Sequence, residues 1–178
     1  MKADTLKKVF PIISVTVVVF IAVALLGLTD TLVRDKIEWQ KEQKIQRMLF
    51  EIFPNMTEHT LEGDIYRIYS NGAEIGFAFL AVGKGYGGFI NILVGFENET
   101  TIKGVTIISH LESPGLGARI TETEFTDQFA GVNIADVALT QKGGEIDAIT
   151  GATISSRAVV EAIRDAAIEK IKSLEQRE

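Results

Sequence analysis

Polar and apolar residues alternate along this chain with three different rhythms. Residues 9–29 carry no charge and are dominated by Val, Ile, Leu, Ala and Phe. That is about 21 residues, enough for a helix to cross a ~30 Å hydrocarbon core. From Thr31 to about Phe53 the apolar positions thin to a stripe of Ile37, Ile45, Met48, Leu49, Ile52 and Phe53 among charged residues and Gln, the pattern of a solvated amphipathic helix. Pro54 and Asn55 end it. Beyond Asn55 the pattern becomes β-like. Residues 65–69 and 75–82 flank Asn71-Gly72, a hairpin turn signal, and residues 89–96 and 102–108 flank Glu97-Asn98-Glu99-Thr100, a second hairpin. Residues 122–130 read as a helix with Phe125 and Phe129 four apart on one face. A short strand is predicted over residues 137–140, then a turn at Lys142-Gly143-Gly144. The last rhythm is helical, with Ala152, Val159, Val160, Ile163, Ala166, Ala167 and Ile171 near helical spacing. These elements predict an α+β fold, an antiparallel sheet with helices packed against it. They divide the chain into an anchor over residues 1–29, a connecting helix over 30–54 and a folded domain over 55–178.

The flanks of the apolar run orient it. Lys2, Lys7 and Lys8 precede it, while Asp30, Arg34, Asp35 and Lys36 follow with mixed sign. The positive-inside rule then places the N-terminus in the cytoplasm and everything after Asp30 outside, as a single-pass protein of the cell (inner) membrane. Ala22-Val23-Ala24 resembles a signal-peptide cleavage site, but the apolar run continues past it, which favours an anchor in the lipid bilayer. No ionisable residue lies within the run, so this helix alone should not conduct ions. Trp39 reads as a packing residue. Asn55-Met56-Thr57 and Asn98-Glu99-Thr100 match the N-glycosylation acceptor pattern, which is short enough to arise by chance.

With 178 residues the chain has room for one globular domain beyond this appendage. It contains no cysteine, which excludes disulfides, a thiolate nucleophile and Cys-ligated zinc or iron–sulfur centres. Its two histidines are far apart in sequence, which argues against a His-based metal site. Redox chemistry here needs another kind of cofactor.

Three stretches carry candidate chemistry. In Asp147-Ala148-Ile149-Thr150-Gly151-Ala152-Thr153-Ile154-Ser155-Ser156 a short apolar run meets a hydroxyl-and-glycine turn at the start of the last helix. Hydroxyls there accept bonds from unpaired backbone N–H groups, and the same N–H groups and the helix dipole seat a phosphate. A plain helix cap accounts for the residues equally well. Gly83-Lys84-Gly85-Tyr86-Gly87-Gly88 separates two strands, and reads either as a hairpin loop or as backbone that a planar ligand can approach closely. His110-Leu111-Glu112-Ser113-Pro114-Gly115-Leu116-Gly117 follows a strand, and its Pro-Gly explains a turn unaided.

Taken in order and spacing, the anchor, the Gly-Tyr-Gly-Gly loop, the His-x-Glu-Ser-Pro-Gly-Leu-Gly segment and Asp-Ala-Ile-Thr-Gly-Ala-Thr resemble the G subunits of Rnf electron-transport complexes, a membrane-anchored FMN-binding family. The resemblance covers nearly the whole chain. It implies covalent FMN, joined through a phosphoester to Thr153. Thr150, Gly151 and Ala152 would leave room for the ribityl chain and offer N–H donors. Gly115, Leu116 and Gly117, with Gly87 and Gly88, would lie against the isoalloxazine. Asp147 opens the motif read by a flavin transferase, and His110 and Glu112 are candidate flavin neighbours. The implied partners are the other membrane subunits of an Rnf-type complex and the flavin transferase, with no nucleic acid. The implied role is an electron relay in an ion-translocating oxidoreductase, without independent catalysis. The C subunit of the sodium-pumping NADH:quinone reductase shares the flavin motif but is usually longer. A pilin-like structural protein would share the apolar helix and β-rich head, but here no Glu sits near the start of the run and no Gly-terminated leader precedes it.

Overall fold

The computed structural model describes residues 15–23, 25 and 42–175. The chain divides into two compact units, residues 1–45 and 46–178. In the first, residues 15–23 and 25 are helical and exposed. Among the described residues no helix is long and apolar enough to cross a membrane. The remainder of the expected anchor lies outside the described residues, as do the first part of the connecting helix and Trp39. That connecting helix is described from residue 42 and runs to residue 52; we label it α1.

The second unit is built on a five-stranded antiparallel sheet of β1 (Glu58–Glu62), β2 (Ile65–Ser70), β3 (Ala73–Lys84), β4 (Phe89–Phe96) and β5 (Ile102–Ser109), paired in sequence order as a meander. Four of these strands correspond to the predicted alternations; β1 has no counterpart among them. Its sequence, Glu-His-Thr-Leu-Glu, is mostly exposed and lacks an apolar alternation. It is a strand because β2 offers an open edge on which it pairs, from Glu58 opposite Tyr69 to Glu62 opposite Ile65. Both predicted hairpins form. Asn71 and Gly72 take φ of 51° and 82°, the two positive values that a type I′ turn requires. In the second turn the Asn98 side-chain oxygen accepts from the N–H groups of Thr100 and Thr101, at 3.0 and 2.9 Å, and from the Thr100 hydroxyl.

The sheet's pleat sorts its residues by face. Phe77, Phe79 and Ala81 of β3, with Ile90, Ile92, Val94 and Phe96 of β4, join the core beneath the long helix α3 (Thr153–Glu175). From α3 come Val159, Ile163 and Ala167, spaced four apart on one face. Each of the Val, Ile and Phe side chains withdrawn from water contributes about 1.5–3 kcal/mol. Gly83 lets the helix come close: a Cβ there would stand 2.6 Å from the Ala158 carbonyl oxygen. The opposite face is met by the end of α1, where Ile52 and Phe53 lie against Gly95.

Between β5 and α3 the chain is mostly short turns. A 3₁₀ turn (Gly117–Thr121) leads to α2 (Thr123–Thr126), which gives way to a second 3₁₀ turn (Asp127–Phe129). The predicted helix over residues 122–130 is thus a single α turn with a tighter end. Its Phe pair is as expected: both rings are buried and meet edge to face, centroids 5.6 Å apart. The strand predicted over residues 137–140 does not form. Val137 and Leu139 are buried as the alternation implies, but the only pairing there is a single bridge from Leu139 to Ile146, flanked by 3₁₀ turns Ile134–Asp136 and Thr140–Lys142. The segment lacks a neighbouring strand edge. That of β5 is taken at one end by residues 131–133, with the Ile102 N–H donating to the Val132 carbonyl.

Candidate functional site

The start of α3 is built by a turn and two serines. The Ala152 N–H donates to the Ile149 carbonyl at 2.9 Å, and Gly151 at φ 82° closes this turn in the left-handed region. Ser156 ties the turn to the helix: its hydroxyl accepts from the Ile149 N–H at 3.0 Å and donates to the Ala152 carbonyl at 3.1 Å. Ser155 points elsewhere and donates to the Glu112 carboxylate. Both serines are buried. Among the described residues no side-chain hydrogen bond engages Thr153 or Thr150. Among the described residues no hydroxyl of the cluster accepts from a first-turn N–H of α3, so the expected capping does not form; Ser156 braces the preceding turn instead, and the half-buried Thr153 keeps its hydroxyl unengaged.

Thr153 lies in an open cleft of about 470 Å³, lined also by Tyr86, Ser113, Leu116, Gly117, Gly151, Ala152, Ile154 and Ser155. The three stretches singled out in the sequence thus converge on one place. Backbone N–H groups in the first turn of a helix lack intrahelical partners, so the N-terminus of α3 brings donors to this cleft. Exposed Tyr86, Leu116 and Ile154 supply apolar surface at its walls.

Glu112 stands behind the wall, only 5% exposed. Its carboxylate accepts from the N–H of Gly87 at 2.9 Å, from the N–H of Tyr86 at 3.2 Å and from the Ser155 hydroxyl. Burial pushes its pKa up, but the Ser155 hydroxyl and the N–H groups of Gly87, Tyr86 and Gly88 together outweigh burial and hold the carboxyl below its usual range. His110 faces Glu112's backbone, its Nδ1 accepting from the Glu112 N–H at 3.2 Å. Gly87 and Gly88 pack against Leu111. Gly115 takes φ 77° in the turn that leads into the cleft, without lining it.

Asp147 and Thr150 line a neighbouring recess of about 190 Å³. Asp147 is anchored there: its carboxylate accepts from the Thr140 hydroxyl at 2.9 Å and its N–H donates to Gln128 Oε1 at 2.7 Å. Of the residues singled out in the sequence, Leu116, Gly117, Gly151, Ala152 and Thr153 line the cleft itself. Tyr86, Ser113, Ile154 and Ser155 join them, although the sequence alone assigns them no role there. Tyr86 and Ser113 sit inside the two glycine-rich stretches, and that position is the available signal. Among the described residues no cluster of His, Asp and Glu suited to a metal ion is present.

Residues 85–168, the stretch that runs from the Tyr86 turn through the cleft to α3, match the FMN-binding domain family. The fold agrees with that class. The crystal structure of the C subunit of the Na⁺-translocating NADH-quinone reductase from Parabacteroides distasonis superimposes with a TM-score of 0.52 at 24% identity, over 60% of this chain and 61% of that one. Sequence likeness reaches further along the chain. The G subunit of the ion-translocating oxidoreductase complex of Methanosarcina acetivorans is 35% identical over 169 residues, 87% of this chain and 90% of the relative. Its counterpart of the same name from Aliivibrio fischeri is 33% identical over 172 residues, 82% of this chain and 81% of the relative. The chain belongs to the family of G subunits of ion-translocating oxidoreductase complexes.

Proposed function

We propose that this protein is the electron-transfer subunit of an ion-translocating oxidoreductase and carries FMN as a phosphoester on Thr153. One observation carries the attachment site: Thr153 alone combines an unengaged hydroxyl, a place in the cleft and the first position of α3, while Ser155 and Ser156 are committed to other partners. The cleft suits the group. Its volume falls within the ~300–1,000 Å³ of small-molecule sites, and its lining combines apolar side chains with the hydroxyls of Ser113 and Thr153. The helix N-terminus favours the phosphate that remains after esterification, and the apolar walls favour the ring system. Bound FMN supplies the electron chemistry, accepting electrons and passing them on; the protein supplies position and electrostatics.

Residues 9–29 anchor the chain in the membrane, and the lysines ahead of them place the FMN domain on the extracytoplasmic side. Covalent attachment has a reason there: where free FMN is scarce, a reversible site empties once ligand falls below its dissociation constant. A flavin transferase installs the group, and the motif's Asp147 sits in the recess beside the turn, held by Thr140 and Gln128. Other membrane subunits deliver and remove the electrons, since the apolar segment offers neither cofactor ligands nor ionisable groups of its own.

The test is mass spectrometry of the peptide spanning residues 147–157, from protein made together with a flavin transferase. The expected result is the added mass of FMN on Thr153 and its loss in Thr153→Ala. Modification at another residue, or none, would refute the assignment.

A further inference from the structure

We infer that Glu112 is the positioning residue of the cleft: its carboxylate clips the Tyr86–Gly87 turn to the first turn of α3 and so holds the two walls at a fixed spacing. Tyr86 and Ser155 both line the cleft, and Glu112 bonds both. Its two oxygens share the work. Oε1 takes the Gly87 N–H, while Oε2 takes the Tyr86 N–H and the Ser155 hydroxyl. The surrounding chain is shaped to admit this one side chain. A Cβ on Gly85 would fall on Oε1, and a Cβ on Gly117 would stand 2.8 Å from Oε2 and 2.9 Å from Ser155 Oγ. Two glycines from different stretches thus leave the space that the carboxylate fills.

Neutral donors alone satisfy this carboxylate: among the described residues it forms no ion pair. The charge is therefore not cancelled by a neighbouring cation, and it lies directly behind the cleft wall. An anion fixed there, away from bulk water, opposes the addition of electrons to a group held in the cleft. Glu112 thereby does two things that glutamine cannot do together. It accepts three hydrogen bonds at the junction of the walls, and it places a negative charge beside the site. The first rests only on the geometry above; the second rests also on the FMN reading.

Two measurements test it, using the full chain in detergent. The first is made without flavin transferase and needs no flavin: amide hydrogen exchange at Tyr86 and Gly87 in the wild type, Glu112→Gln and Ser155→Ala. Hydrogen bonds to a charged acceptor are the stronger kind, so Glu112→Gln should speed exchange at both amides by roughly ten- to a hundredfold. Core amides such as those of Phe79 and Ile92 should keep their wild-type rates. Ser155→Ala removes one bond and keeps the charge, and should give a smaller acceleration. Unchanged rates at Tyr86 and Gly87 in both variants would overturn the clip, as would a uniform acceleration that includes the core. The second measurement is the flavin midpoint potential after co-expression with the transferase. It should shift positive in Glu112→Gln and by less than half as much in Ser155→Ala, a difference that a purely structural role would not produce. Equal potentials in Glu112→Gln and the wild type would overturn the electrostatic part. Should the chain take up no flavin, the exchange data still decide the clip, so the two readings fail separately.

Discussion

The Ser155 hydroxyl donates to the carboxylate of Glu112 across 43 residues of sequence, and both side chains are buried. This contact joins the segment after β5 to the start of α3, and with the Tyr86 and Gly87 amides it makes three separate stretches into one site.

The contact makes stability depend on pH in a defined direction. In the folded protein the Glu112 carboxyl is held below its usual value of 4.5, because hydrogen bonds to the anion outweigh the cost of its burial. The unfolded chain therefore binds the proton more readily. The stabilisation is fully present above the unfolded value and is lost as pH falls through the lower, folded one. Urea unfolding of the wild type should accordingly weaken as pH falls below the unfolded value of 4.5, with a shallower loss in Glu112→Gln. Parallel curves for the two proteins would contradict this.

The hydroxyls at the helix start should separate cleanly into structural and functional. Ser156→Ala leaves the Ile149 N–H without its partner and should cost about 1–3 kcal/mol in denaturant unfolding. Thr153→Val changes no side-chain hydrogen bond and should stay within about 0.5 kcal/mol of the wild type. The same Thr153→Val should be devoid of covalent flavin, seen as a dark band on an unstained denaturing gel under ultraviolet light.

Gly117→Ala should be destabilising although it adds only a methyl group. That methyl would meet Glu112 Oε2 at 2.8 Å and Ser155 Oγ at 2.9 Å, both in a filled space. Forcing a methyl into close packing costs about 1–3 kcal/mol, so the urea midpoint should fall while the slope stays constant. Gly115→Ala has open space around it and only its φ of 77° against it, and a comparison of the two separates crowding from backbone strain.

Topology is tested on the exposed Lys142. In intact cells or spheroplasts, Lys142→Cys should react with a membrane-impermeant thiol reagent, and the absence of native cysteine makes the signal specific. Labelling only after lysis would reverse the proposed orientation.

Local rhythm determined much of this protein. The two hairpins follow from period-two alternation around Asn71-Gly72 and around Asn98, and α3 follows from apolar residues returning on one helical face. The edge-to-face packing of Phe125 and Phe129 follows from their spacing of four. These features depend on residues near one another in the chain, which is why sequence alone could specify them. What it left undecided depends on distant partners. Residues 58–62 have no strand signature and become β1 only because the edge of β2 is open to them. Residues 137–140 have the alternation and do not become a strand, because they have no neighbouring edge with which to pair. Glu112 and Ser156 show the same division at the site. A carboxylate and a hydroxyl are visible in the sequence, but their roles depend on which N–H groups the fold brings within reach. Only the tertiary structure could assign Glu112 to the wall, Ser156 to the turn before α3 and an unengaged hydroxyl to Thr153, because hydrogen bonds are short and directional and the chain must close long loops to make them.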